Sequence, residues 1–97
     1  MLFRSVEFAD FDTAKERLNI EKHRVSFKLA KVAFNDPFKI IVKDEIHSQN
    51  EKRFFCYGIV EGNVLTVRFT YRNGKPRIFG AAYWRKGREI YEKKNRL

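Results

Sequence analysis

The chain has 97 residues and a mass of 11.6 kDa, enough for one hydrophobic core over residues 1–97 and too little for two. It is 43% hydrophobic with ten Phe and only two Pro, which is a folding composition, and 21 Lys plus Arg against 12 Asp plus Glu leave a net +9 that attracts polyanions such as nucleic acid or an acidic protein. A lone cysteine, Cys56, excludes an internal disulfide; His23, His47 and Cys56 lack the paired spacing of a metal site; and no long apolar run or signal-type segment is present, so the expected compartment is the cytoplasm and no cofactor is expected.

In chain order, Met1 to Phe8 alternate loosely and read as a short strand entering a turn at Ala9-Asp10-Phe11-Asp12. Asp12 is suited to N-cap a helix beginning at Thr13, and Thr13 with Glu16 also has the spacing of a capping box. Ala14 and Leu18 share one face of that helix, and Lys22 and His23 fall in its last turn, where the macrodipole favours cations. Ser26 is placed to cap a second helix in which Phe27, Ala30 and Phe34 form a buried stripe, with Pro37 ending it at or before Asp36.

Four strands are predicted next, over about Phe38–Ile46, Lys52–Val60, Val64–Tyr71 and Lys75–Ala82. Asn73-Gly74 supplies the two positive φ values of a type I′ turn at least cost, which sets Arg72 opposite Lys75, Thr70 opposite Arg77 and Phe69 opposite Ile78. Gly62-Asn63 suits a II′ turn, which sets Tyr57 opposite Arg68, Phe55 opposite Thr70, Cys56 opposite Phe69 and Val60 opposite Leu65.

These registers put Phe54, Cys56, Val60, Leu65, Val67, Phe69 and Ile78 on one apolar face against the two helices. Arg53, Phe55, Tyr57, Thr66, Arg68, Thr70, Arg72 and Arg77 take the other face, with Glu51 by alternation. Opposed like charges are unfavourable without an anion, so this face reads either as a binding surface or as arginines snorkelling over solvent beside Glu51 or Asp44. Tyr57, Thr70, Arg72 and Arg77 are the RNA contacts it suggests, with Arg85 and Arg88 from the basic C-terminal segment. That segment, Arg85–Lys94, is expected to be a short helix docked by Trp84 and Tyr91 or a frayed tail, with Gly87 weakening the helix by about 1 kcal/mol relative to Ala. Cys56 alternates with Phe54 and Gly58 and is expected in the core.

Lys22-His23 carries chemistry if it lies beside the arginines. Metal-free RNA cleavage needs a proton shuttle that works near neutrality and fixed positive charge for the phosphorane formed when a 2′-hydroxyl attacks the adjacent phosphate. The alternative for the same pair is a cationic helix end.

Phe11-Asp12, Lys15, Asn19, Lys22-His23-Arg24-Val25-Ser26-Phe27, Phe34-Asn35-Asp36-Pro37, His47-Ser48 with Glu51 and Arg53-Phe54, Gly58, and Val67-Arg68-Phe69-Thr70 through Arg77-Ile78 resemble the BrnT toxin family, from about residue 8 to residue 92. The resemblance implies an α+β fold similar to RelE toxins: two N-terminal helices on a mainly antiparallel four- to five-stranded sheet, with a short C-terminal helix. It also implies metal-independent endoribonuclease activity, inhibition of translation, and neutralisation by a BrnA-like ribbon-helix-helix antitoxin through which alone DNA is met. By carry-over Lys22, His23, Glu51, Arg53 and Arg68 are the candidate catalytic residues, with Arg68 on the scissile phosphate and Glu51 either base or ion-pair anchor. Two positions depart from the family pattern: Arg24 stands where the family usually has a C-cap Gly, and Gly80-Ala81-Ala82 replaces a Ser-Ala-Arg segment, so a cleft arginine is missing at Ala82 unless Arg85 or Arg88 replaces it. The alternative reading is a non-catalytic basic member that binds RNA or the antitoxin.

Overall fold

The computed structural model describes residues 6–96. It is α+β: helices α1 (Thr13–His23) and α2 (Phe27–Ala30), a 3₁₀ segment (Lys31–Asn35), strands β1 (Ile40–Lys43), β2 (Phe54–Val60), β3 (Asn63–Arg72) and β4 (Lys75–Ala82), and helix α3 (Arg85–Asn95). The strands form one antiparallel sheet in the order β1-β2-β3-β4. Of the strand expected over Met1 to Phe8, the first five residues lie outside the described ones; Val6–Phe8 are irregular, and Ala9 N–H donates to Pro76 O at 3.0 Å.

Asp12 settles the start of α1, its carboxylate accepting from the Ala14 and Lys15 amides at 2.8 and 3.2 Å. Glu16 is consequently free of a capping box, and its carboxylate reaches across to accept from the Phe27 amide at 2.9 Å, capping α2 together with Ser26, whose hydroxyl accepts from Leu29 N–H. The α2 helix tightens into the 3₁₀ segment and stops at Asp36, held extended before Pro37. Phe27, Ala30 and Phe34 are buried as the stripe requires, but Ala14 and Leu18 of α1 are exposed, and its one buried residue is Asn19.

The Asn73-Gly74 turn and its register are as predicted. The β2–β3 turn differs: Glu61 and Gly62 both take positive φ, so they are the central pair of a I′-type turn and Val60 pairs with Asn63. Every partner therefore moves by two residues, setting Phe55 opposite Arg68, Tyr57 opposite Thr66 and Cys56 opposite Val67. A shift of two preserves the pleat, so the assignment of side chains to faces survives the error in register.

The apolar face packs as expected, with Val25, Phe27, Ala30 and Phe34 against Cys56, Leu65, Val67, Phe69 and Ile78. The other face is not the open arginine surface that alternation predicts. Helix α3 covers part of it, and Tyr57, Val64 and Tyr91 form a second cluster with Ile40, Val42, Phe55 and Ile90. Gly87 makes the approach possible, because a Cβ there would lie 2.0 Å from Thr66 Oγ1 and 3.0 Å from the Tyr57 ring. The Tyr91 hydroxyl donates to Asp36 Oδ2 at 2.6 Å, and the same carboxylate accepts from the Ile59 and Phe38 amides. Burial acts to raise the Asp36 pKa, but the bonds from Tyr91, Ile59 and Phe38 outweigh it and hold the carboxyl below its ordinary value.

Two outcomes are expected from this docking. Gly87→Ala, which helix propensity alone makes stabilising by about 1 kcal/mol, should instead lower stability in urea titrations by about 1–3 kcal/mol through overpacking. Since the Asp36 pKa is depressed on folding, its contribution is present above the ordinary carboxylate value of 3.8 and is lost as pH falls through the folded value. The stability gap between the native chain and Asp36→Asn should therefore close on acidification, which thermal melts at stepped pH would measure.

Candidate active site

Helix α1 lies along the outer edge of β4, and Asn19 fixes it there. Its amide donates to Val25 O and Ala81 O, both at 2.9 Å, and its oxygen accepts from Ala81 N–H at 3.1 Å. The side-chain amide thus occupies the donor and acceptor that a further strand would have met at this edge. Lys15, Leu18 and Lys22 share the Asn19 side of the helix by the 3.6-residue repeat, and His23 follows at its end. Arg24 then takes the left-handed conformation, φ 60°, with its N–H on Ile20 O at 2.8 Å, so an arginine occupies the C-cap position suited to Gly and the turn keeps its shape.

The opposite wall comes from the sheet. Between Arg68 and Phe69 the β3–β4 register slips: Ile78 faces Phe69 but Gly80 faces Arg68, leaving Phe79 as the extra residue of a bulge. The Phe79 ring carries two guanidinium groups, Arg53 at 4.9 Å and Arg68 at 5.0 Å from its centroid. Stacking on an aromatic face holds each guanidinium while leaving its N–H edge free for an anion.

Lys15, Lys22, His23, Arg68, Phe79 and Trp84 thereby line one cleft of about 240 Å³, floored near Gly80. The Trp84 ring meets His23 edge-on, centroids 5.5 Å apart. Among the described residues Lys15, Lys22, Arg53 and Arg68 make no ion pair, and no carboxylate lines this cleft.

Of the five candidate catalytic residues, the fold brings Lys22, His23 and Arg68 together and adds Arg53 through Phe79. Glu51 stands apart, ion-paired with Arg72 and lining a separate depression with His47 and Arg53. The loop carrying that depression is ordered by Asp44, which accepts from the Ile46 and His47 amides and from His47 Nδ1 at 2.9 Å. Burial works to raise the Asp44 pKa, yet the His47 contacts and the Ile46 amide keep it below the ordinary value.

The suggested RNA contacts are scattered. Tyr57 is 5% exposed beneath α3, and the buried Thr70 hydroxyl donates to Lys52 O at 2.8 Å, so neither is open to solvent on the face that alternation gave it. Arg77 donates to Asp10 O, and Arg72 is held by Glu51. Arg85 and Arg88 line another depression across Trp84 and not the cleft, while Ala82 is buried opposite Thr66. Burial pushes the Cys56 thiol up to about 12, which leaves it un-ionised near neutrality, in keeping with a core position.

Sequence reasoning gave no role to Lys15, Asn19 or Phe79 and assigned Trp84 to docking α3. The helical repeat around Lys22 marks Lys15, and parity opposite Ile78 marks Phe79, but nothing local marks Asn19 as buried.

The family model for the ribonuclease toxin, BrnT, of type II toxin-antitoxin systems matches residues 11–87. No curated protein matches the chain.

Asn19→Ala should cost about 2–3 kcal/mol, because it leaves the Ala81 amide and two carbonyls buried without partners. Denaturant titration reads the loss, and amide hydrogen exchange at Ala81 should accelerate.

Proposed function

The chain belongs to the BrnT family of ribonuclease toxins of type II toxin-antitoxin systems, and we propose that it cleaves RNA in the cleft between α1 and the Arg68 side of the sheet. The observation that carries this reading is the convergence of Lys15, Lys22 and Arg68, none of them ion-paired among the described residues, on the one imidazole that lines the cleft, His23.

In this mechanism Arg68 grips the scissile phosphate, with Arg53 beside it on the shared Phe79 ring. The 2′-hydroxyl attacks phosphorus, His23 takes its proton, and Lys22 with Arg68 neutralises the phosphorane. The bond to the 5′-oxygen breaks, His23 returns the proton to that oxygen, and the products are a 2′,3′-cyclic phosphate and a free 5′-hydroxyl. Trp84 holds the imidazole edge-on. Glu51 serves as the anchor of Arg72 rather than as the base, since it lies outside the cleft lining.

Cleavage of this kind inhibits translation, and neutralisation follows if a BrnA-like antitoxin lays acidic side chains over the cations, meeting DNA through its own ribbon-helix-helix half. An RNA substrate and an antitoxin partner are what support reading the protein as cytoplasmic. No helix among the described residues is long and apolar enough to cross a membrane. A second reading, a member that binds RNA or antitoxin without cleaving, is favoured by one observation: Ala82 stands at the resemblance's arginine position, and neither Arg85 nor Arg88 lines the cleft to replace it.

RNA cleavage should persist in EDTA, because a cationic cleft without carboxylates offers no donor set for a divalent ion. Arg68→Ala should lower the rate about 30- to 1000-fold, the loss expected for 2–4 kcal/mol of transition-state stabilisation, and His23→Ala should lower it by about 100-fold or more, the range for a lost proton-transfer group. Activity that vanishes in chelator and returns with a divalent ion would overturn the mechanism, and intact RNA binding with no cleavage would establish the second reading.

A further inference from the structure

Trp84 also lines a larger depression of about 480 Å³, together with Asn63, Val64, Tyr83, Arg85 and Arg88. Trp84 is thus shared by this depression and the His23 cleft. Tyr83 and Trp84 are exposed aromatics, at 42% and 39%, and the Tyr83 ring is already held by its hydroxyl on Val60 O at 3.2 Å.

The cations are placed against their own electrostatic interest. Arg85, Lys86 and Arg88 fall within the first four residues of α3, at the positive end of the helix dipole, where there is no acidic residue in the first turn and no capping side chain. Arg85 has only a loose contact with Glu89 at 3.8 Å, both side chains largely exposed, and among the described residues Lys86 and Arg88 have no ion pair. A bound anion relieves that repulsion.

We propose that this depression is a second nucleotide subsite for single-stranded RNA, in which a base stacks on Trp84 and its two flanking phosphates lie one on Arg85 and one on Arg88. The inference rests on the cleft being the RNA cleavage site. Two adjacent aromatic rings beside two guanidinium groups fit a chain that alternates π-faces with phosphates; an acidic peptide would use the cations and leave the rings without a partner.

Trp84 is the only tryptophan in the chain, so its emission reports stacking directly. The probe is a single-stranded oligodeoxynucleotide of about ten residues, long enough to span both concavities and uncleavable for want of a 2′-hydroxyl. It should quench Trp84 emission. Arg85→Ala with Arg88→Ala should weaken binding about tenfold and flatten the dependence of log K on log salt by about 1.4, roughly 0.7 for each lost phosphate contact. Should the double variant prove misfolded by circular dichroism, Arg88→Gln alone should flatten the slope by about 0.7.

Absent quenching, or an affinity and salt slope unchanged in the variants, overturns the proposal. So does a double variant that binds the oligonucleotide normally but loses the antitoxin, which assigns the surface to a protein partner. Because the probe bypasses the cleavage chemistry, a failure of the RNase reading leaves this measurement separately interpretable.

Discussion

One buried side-chain amide holds the two walls of the cleft in place. Asn19 spends both of its N–H donors and its oxygen on backbone groups of Val25 and Ala81, the latter 62 residues away in sequence. A carboxamide offers the same donor and acceptor as a peptide group, so it can close the last strand of a sheet without adding another. Because the bond to Val25 lies just beyond the helix C-terminus, the same residue also fixes the turn at Arg24 that ends α1 beside His23. The position of Lys22 and His23 relative to Arg68 thus depends on an interaction that itself touches none of them.

The sheet face opposite the main core is shared between two uses. Where α3 docks, the surface is made of Tyr57, Val64 and Thr66, flat enough for a glycine to approach and for Tyr91 to reach Asp36. Beyond the helix the same face changes character, and Arg53 and Arg68 are packed by Phe79 rather than by a helix. The bulge at Phe79 separates the regimes: by inserting one residue it brings an aromatic ring under the guanidinium groups while Ala81 still points into the core.

The charge distribution follows from that division. Five of the twelve acidic residues serve as structural caps and anchors: Asp12 on α1, Glu16 on α2, Asp36 on α3, Asp44 on the β1–β2 loop and Glu51 on Arg72. With those carboxylates committed elsewhere, the cations at the cleft have no internal partner among the described residues. Such an arrangement disfavours the free protein through repulsion and favours any polyanion that meets it, whether RNA or an acidic antitoxin.

Local chemistry in the sequence determined the caps at Asp12 and Ser26, the stop at Pro37, the Asn73-Gly74 turn and the sorting of strand residues between faces. A period of two survives even the misplaced β2–β3 turn, since the partners moved by two. The resemblance carried by Lys22-His23 and the residues around Arg68 identified the family, and three of its five candidate catalytic side chains share a cleft. The tertiary structure alone decided that Asn19 rather than Leu18 faces inward, that α3 buries Tyr57, that Glu51 pairs with Arg72, and that Phe79 supports two arginines. Each of these depends on which distant backbone or ring arrives at a given surface, and neither helical nor strand periodicity encodes that, because both describe only how a segment divides its own side chains.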